Sequence, residues 1–410
     1  MKIKKSVQNA MQELQINTLR RTQIAPIHSI IDGCDTFVIA PTSAGKSLIY
    51  QLPAVIHKEK LTLVIEPTLA LMHAQVRKLK ALSIHAEYLD STMCKTDSEK
   101  ILAKVKSRKI HMLYITPERL QSKAFLAAIE NIALYMVVVD ECHCVLEWGE
   151  SFRPEYLTIC DFITTCKTRP IIAALTATAN PQDRNCIITA LGMEHVQEHI
   201  TSIDRPNLVL LKEKTSTLDE KLRRLKHYIR KFHRGGGMIV YCSTCAYTDA
   251  VYNYLSETFP DQVARCHSAM KGKMRAKQEL SFLNGEKSIM VATTAFGMGI
   301  DKGDIDLIVH FNMPFSISAY YQQAGRAGRD GRTAHCVLLY HAQDYEIGKA
   351  LAKTLNKPAR RYMKTQLKDM WEFANSENCM MQDVLAYFGE GKKKTCKHCT
   401  TCQRNRRSAK

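Results

Sequence analysis

Apolar runs rich in Val, Ile, Leu and Tyr recur along the first 340 residues, and each is closed by turn chemistry before a longer stretch of helical period begins. The clearest are Thr36 to Ala40, Leu61 to Glu66, Ile110 to Ile115, Tyr135 to Asp140 and Ile171 to Leu175. Short runs that alternate with helical stretches predict βα units and a parallel sheet. A second series, Met238 to Tyr241, Ser288 to Thr293, Leu307 to Phe311 and Cys336 to Tyr340, predicts a second sheet. Between them Ser202 to Thr217 carries Pro206, polar positions and one short apolar run, and reads as a connector. The pattern therefore divides the chain into α/β domains over 1–202 and 203–343, a small helical module over 344–402 and a basic tail over 403–410 that is expected to be disordered. No low-complexity segment or short-period repeat interrupts it.

Composition adds little to the fold but narrows the partner. At 410 residues the chain exceeds what one hydrophobic core supports. Lys and Arg outnumber Asp and Glu by 58 to 40, an excess of +18 that suits a polyanion. No apolar run approaches the roughly 18 residues of a membrane span, and Met1-Lys2-Ile3-Lys4-Lys5 is not followed by a signal-type stretch, so an intracellular, cytoplasmic protein without a membrane partner is expected. Most of the 15 cysteines, such as Cys160, Cys186 and Cys336, sit singly inside apolar runs and read as buried thiols.

Two stretches carry nucleotide chemistry. Thr36 to Ala40 runs into Pro41-Thr42-Ser43-Ala44-Gly45-Lys46-Ser47 and then an apolar helical stretch, which is the setting of a phosphate loop. Thr42, Ser43, Ala44 and Gly45 are small enough for backbone N–H groups to close around phosphates, Lys46 neutralises the β and γ oxygens, and the Ser47 hydroxyl is a magnesium ligand at a helix N-terminus. Ala40 stands where the usual pattern begins with glycine, so the strict motif fails. Asp140-Glu141-Cys142-His143 ends a second apolar strand, where carboxylates face the ligand crevice of an open sheet. Asp140 is expected to hold magnesium through water, Glu141 to orient and deprotonate the attacking water, and His143 to relay nucleotide state. Near the other end, Cys396, Cys399 and Cys402 recur at two-residue intervals with Cys379 upstream. Four thiolates suit a closed structural zinc site. On spacing alone Cys379 is also readable as an ordinary buried cysteine, with His398 an alternative ligand.

The order of these motifs resembles a superfamily 2 helicase, and their details resemble the RecQ family over essentially the whole chain. Leu19-Arg20-Arg21-Thr22-Gln23 resembles the adenine-reading segment, in which the resemblance gives Arg20 and Gln23 to the base; the family's flanking aromatic is Leu19 here. Ser47 to Ala54, Tyr114 to Arg119 and Leu175 to Ala179 match closely, and Thr176 and Thr178 would couple the domains. Glu66 to Leu71 with Gln75 sits where the family first meets the DNA backbone, which implies Thr68 and Gln75 as contacts. Cys144 to Tyr156 resembles the aromatic-rich loop, in which Trp148 and Phe152 stack on unpaired bases and Arg153 contacts phosphate or links DNA to hydrolysis. Glu147 and Glu150 replace a glutamine and a histidine there, which is expected to weaken DNA binding.

In the second domain Tyr241 to Thr244 and His267 to Met270 resemble backbone-gripping motifs, with Ser243 and His267 as contacts, and Val291 to Lys302 resembles motif V. Gln322 to Gly331 resembles motif VI, whose Gln322, Arg326 and Arg329 would serve the reaction, the arginines by reaching the γ-phosphate. Gln323 replaces the family's glutamate. The Cys379 to Cys396 interval and Tyr387-Phe388-Gly389-Glu390 resemble the family's zinc module.

The resemblance implies two tandem RecA-like domains plus the zinc module, with ATP, magnesium and zinc as cofactors. It implies an ATP-dependent 3′ to 5′ DNA helicase of repair and recombination, acting on single-stranded and tailed or forked DNA. The chain stops eight residues after Cys402, so a winged-helix domain is expected to be missing and duplex affinity weak. An ATP-switched DNA-binding or annealing factor, a translocase with little unwinding and an RNA helicase are the competing classes.

Overall fold

The computed structural model describes residues 2–41, 44–90, 92–148, 156, 158–294, 296–297, 302–391 and 394–408. The chain divides into two compact units, Met1–Ile203 and Asp204–Lys410. In the first, β1 (Thr36–Ile39), β2 (Leu61–Ile65), β3 (Ala86–Leu89), β4 (Met112–Ile115), β5 (Leu134–Val139), β6 (Ile171–Thr176) and β7 (Gln197–Ile200) form one sheet in the order β3-β4-β2-β5-β6-β1-β7. In the second, β8 (Leu208–Lys214), β9 (Gly237–Tyr241), β10 (Val263–Cys266), β11 (Ile289–Ala292), β12 (Ile305–His310) and β13 (Ala334–Tyr340) are ordered β10-β11-β9-β12-β13-β8. Every pairing in both sheets is parallel.

The reason these runs become central strands is visible in their burial. Every position of β1, β2, β4, β5, β9 and β11 is buried, as a parallel sheet covered on both faces requires. Among the described residues the connections between strands of one sheet pass through helices, except that from β11 to β12; every strand of a sheet points the same way, and the loops after their C-terminal ends converge. In the first unit that edge gathers the loop after β1, Glu66 after β2, Asp140 after β5 and Thr176 at the end of β6.

Buried polar side chains staple the opposite edge of the first sheet and the C-terminal edge of the second. Asp35, just before β1, accepts from the Ile172 and Glu194 N–H groups at 2.8 and 2.7 Å and from the Arg169 guanidinium at 2.6 Å. In the second unit Lys221 and Asp344 form a buried ion pair at 2.7 Å, and Asp344 also accepts from Asn312 Nδ2 at 2.9 Å. A buried pair of this kind specifies position more than it adds stability.

Helices Ala342–Lys353, Lys357–Asn375, Met380–Tyr387 and Thr400–Ser408 form the C-terminal module; the last packs on β8, the second and third on helix Ile317–Ala324, and the first on the second. The Lys212 N–H donates to Thr400 Oγ1 at 2.9 Å, and Lys212 Nζ donates to the Phe373 carbonyl at 2.9 Å.

The stretch over 202–217 is not only a connector: Leu208–Lys214 is an edge strand paired with β13, because its apolar run supplies the side chains that cover that sheet edge. The tail is helical over Thr400–Ser408, not disordered from 403, because the turn through Cys399 starts the helix and Thr400 anchors it to β8. Among the described residues, no helix is long and apolar enough to cross a membrane.

Candidate nucleotide site and metal centre

The loop after β1 enters helix Ser47–Ile56 through Gly45 and Lys46. Gly45 has φ +73, and a Cβ there would meet Gln23 Nε2 at 2.7 Å, so both backbone and space demand glycine. Gln23 is buried and fully engaged: its Nε2 donates to the Ala44 and Gly45 carbonyls at 3.0 and 3.1 Å, and its Oε1 accepts from the Arg20 N–H at 2.9 Å. The residue expected to read adenine thus braces the loop in this structure. Thr42 and Ser43 lie outside the described residues.

Lys46 is only 7% exposed and its Nζ lies 3.5 Å from Glu141 Oε1. Glu141 adopts φ +49, a region that residues with a Cβ occupy reluctantly, and this kink after β5 presents its carboxylate to Lys46. Its other oxygen lies 3.4 Å from His143 Nδ1, which is also 3.0 Å from Thr176 Oγ1. Thr176 in turn donates to the Thr178 carbonyl at 3.2 Å. A continuous polar path therefore runs from Lys46 through Glu141 and His143 to the loop after β6.

The charge in this path is unbalanced. Asp140 is buried and accepts from the Glu141 N–H at 2.9 Å; burial first, and the Glu141 charge second, push its carboxyl up to about 6. Glu66, at the end of neighbouring β2, is fully buried, and neither of its carboxylate oxygens has a hydrogen-bond partner. Burial, then the charges of Asp140 and Glu141, raise its pKa well above the ordinary range, and Lys46 opposes that rise. The sequence reading placed Glu66 in a DNA-contacting turn; the signal it missed is that Glu66 ends a central strand beside the one that Asp140 follows. These acidic groups, with the Ser47 hydroxyl on the adjoining helix, are a donor set that fits a hard divalent cation.

In the second unit Arg326 is buried and donates to the Gly297 carbonyl, which joins the glycine loop after β11 to the helix Ile317–Ala324. Gln323 Oε1 lies 3.0 Å from His310 Nε2, and burial lowers the His310 pKa to about 3, so a neutral amide faces a neutral imidazole. The loss of an acid at Gln323 therefore leaves motif VI packed without a buried charge. The Ser243 N–H donates to Asn312 Oδ1 at 3.2 Å, and His267 Nε2 lies 3.1 Å from Asp249 Oδ1. Gln322 and Arg329 are partly buried on the same segment. In the first unit Thr68 caps helix Leu69–Ala81 by accepting from the Leu71 N–H at 3.4 Å. The side chain of Trp148, and Phe152 and Arg153, lie outside the described residues.

The cysteines converge as well. The sulfurs of Cys379, Cys396, Cys399 and Cys402 lie within 4.8 Å of one another, a set that fits one tetrahedral zinc ion. The Cys396 N–H donates to Cys379 Sγ at 3.3 Å and the Cys399 N–H to Cys396 Sγ at 3.4 Å. Hydrogen bonding from Cys396 holds the Cys399 thiol down at about 4. His398 instead turns to the Leu208 carbonyl at 3.2 Å, away from the sulfur cluster.

Comparison with known proteins gives a consistent picture. Residues 20–185 match the DEAD/DEAH box helicase family, 220–331 the helicase conserved C-terminal domain and 342–403 the RecQ zinc-binding family. The ATP-dependent DNA helicase RecQ of Pasteurella multocida is 35% identical over 388 residues, which cover 94% of this chain and 60% of that protein. The probable ATP-dependent DNA helicase RecS of Bacillus subtilis is 30% identical over 385 residues, covering 94% of this chain and 76% of that one. The chain spans about three fifths of the length of the RecQ proteins of Pasteurella multocida and Bacillus subtilis. Among solved structures, Mss116p bound to single-stranded RNA and AMP-PNP superposes with a TM-score of 0.69 at 15% identity, covering 94% of this chain and 88% of that one, a likeness of fold.

The raised Asp140 pKa has a definite sign for stability. The folded state holds a proton that the unfolded chain releases, so stability falls as pH rises from the ordinary carboxylate range to about 6 and stays lowered above it. Asp140→Asn keeps an acceptor for the Glu141 N–H and removes the charge. Denaturant unfolding is expected to show that variant more stable by on the order of 2 kcal/mol at about pH 7.5, with the gain vanishing near about pH 4. An equal gain at both pH values would show that charge burial is not its origin.

Proposed function

The chain belongs to the RecQ family of superfamily 2 helicases, and from that premise we propose that it couples ATP hydrolysis to 3′ to 5′ movement on single-stranded DNA and to separation of the duplex ahead. The observation that carries the reading is the pairing of buried Lys46 with partly buried Glu141 beside Asp140, which suits a phosphate-binding cation next to a water-activating carboxylate. The site of action is intracellular DNA in single-stranded, tailed or forked form.

In this reading Lys46 contacts the β and γ phosphates, with backbone N–H groups of residues 42–45 around them. Entry of ATP separates Lys46 from Glu141, which frees that carboxylate to orient the attacking water and accept its proton. Ser47 and Asp140 hold magnesium, which when bound supplies positive charge to the phosphate oxygens. Arg20 and Gln23 take the adenine, and Gln23 then exchanges its loop carbonyls for the base edge. His143 and Thr176 carry the state of Glu141 toward the loop after β6. Gln322, Arg326 and Arg329 act from the second domain, the arginines by stabilising charge that grows on the γ-phosphate. Thr68, Ser243 and His267 meet the DNA backbone, while Trp148, Phe152 and Arg153 meet unpaired bases and phosphate. Cys379, Cys396, Cys399 and Cys402 hold a structural zinc that fixes the C-terminal helix against β8.

Single-turnover strand displacement tests the motor. The protein is expected to displace a strand from a 3′-tailed duplex and not from a 5′-tailed one, and Lys46→Ala to do neither. Glu141→Gln is expected to bind ATP and hydrolyse it at least about 10²-fold more slowly. ATP hydrolysis stimulated by DNA with no displacement from either duplex would leave a translocase or a switch, and stronger stimulation by RNA would contradict the DNA assignment.

Elemental analysis tests the metal. The purified chain is expected to hold about one equivalent of zinc, and Cys379→Ala to lose most of it together with stability. Full zinc retention in that variant would remove Cys379 from the ligand set.

A further inference from the structure

Gln75 was expected at the DNA backbone, yet both ends of its side-chain amide are committed toward the nucleotide loop. Its Nε2 donates to Ser47 Oγ at 2.8 Å, and its Oε1 accepts from Gln51 Nε2 at 3.1 Å. Gln51 is itself buried and its Nε2 reaches the hydroxyl of the fully buried Tyr114 at 3.3 Å. The Gln75 amide is therefore held in one orientation by a chain of contacts that ends in the core of the first unit.

That orientation matters because a serine hydroxyl has one proton and two lone pairs. The Gln75 N–H occupies one lone pair, so the remaining lone pair and the proton of Ser47 are both directed away from helix Leu69–Ala81. A hydroxyl that ligates a cation must offer it a lone pair, and a partner behind the ligand fixes which way that lone pair faces. Gln75 also lies two helical turns from Thr68, the cap of the same helix, whose turn is the proposed DNA-backbone contact. A helix moves as a stiff rod over that distance, so displacement of its capped end by DNA is felt at the Gln75 amide.

We propose that Gln75 is a positioning residue that sets the Ser47 hydroxyl for the magnesium–nucleotide complex and links it, through helix Leu69–Ala81, to the DNA-contacting turn at Thr68. The proposal rests on the reading that Ser47 ligates magnesium and that the Thr68 turn meets DNA.

The test compares the full chain with Gln75→Ala and Gln75→Glu by equilibrium binding of a fluorescent non-hydrolysable ATP analogue, across magnesium concentrations and with or without a single-stranded oligonucleotide. Gln75→Ala is expected to need about tenfold more magnesium to reach the same nucleotide affinity, the size of effect that loss of an outer hydrogen bond to a metal ligand produces. It is also expected to lose most of the factor by which the oligonucleotide tightens nucleotide binding, while its affinity for the oligonucleotide without nucleotide is unchanged. Gln75→Glu gives the Ser47 proton an acceptor and is expected to recover magnesium dependence in part. An unchanged magnesium midpoint and unchanged coupling in Gln75→Ala would overturn the proposal. Weakened oligonucleotide affinity with coupling intact would overturn it too, and would return Gln75 to direct DNA contact. If the unaltered chain binds the analogue equally well without magnesium, the reading of Ser47 fails first and takes the proposal with it.

Discussion

Lys46 and Glu141 face one another 3.5 Å apart at the C-terminal edge of a sheet whose central strands are wholly buried, and the arrangement around them follows from that pairing. A buried ammonium needs a carboxylate, and a buried carboxylate needs a cation. Glu141 reaches Lys46 by accepting a positive φ, and Gly45 takes its own positive φ because it has no Cβ, which leaves Gln23 Nε2 room to sit where one would be. Yet Glu66 and Asp140 share the same neighbourhood, where burial and then the charges of Asp140 and Glu141 push Glu66 up, and burial and then Glu141 push Asp140 up. One ammonium stands among these carboxyls, and their raised pKa values register how little positive charge it supplies to them. A bound divalent ion would add that charge and favour their ionised forms.

How much of this was legible in the sequence follows from where each strand lies. The strands named from apolar runs, from Thr36 to Cys336, are the interior ones of the two sheets. Those not named, β3, β7, β8 and β10, are the edges. An interior parallel strand is covered on both faces and is apolar at nearly every position. An edge strand such as Gln197–Ile200 pairs on one side, exposes most of its side chains and reads as a loop. The same physics explains the site. Lys46, Asp140 and Glu141 stand at the ends of interior runs and announce themselves, whereas the binding of Gln23 to the loop, and of Gln75 to Ser47, joins residues 21 and 28 positions apart that no local pattern connects. Glu66 was visible as a residue but not as part of the charge cluster, because only the strand order places β2 next to β5.

The second unit shows how departures from family pattern are absorbed. Gln323 meets a neutral His310, so an amide satisfies the imidazole without a buried charge that would need its own partner. The C-terminal helix depends on a different constraint, the convergence of Cys379, Cys396, Cys399 and Cys402, with Lys212 and Thr400 tying the result to an edge strand. That edge is thereby covered and withdrawn from pairing with other chains.

The central claim is that the strand-end cluster is completed by nucleotide and magnesium together. The most direct measurement is the thermal unfolding midpoint with a non-hydrolysable ATP analogue, with magnesium or with a chelator, for the unaltered chain and for Lys46→Ala. Ligand at about 100 times its dissociation constant stabilises by about 2.7 kcal/mol, enough to raise the midpoint measurably. The account predicts that rise only when analogue, magnesium and Lys46 are all present. An equal rise with the chelator, or in Lys46→Ala, would contradict it.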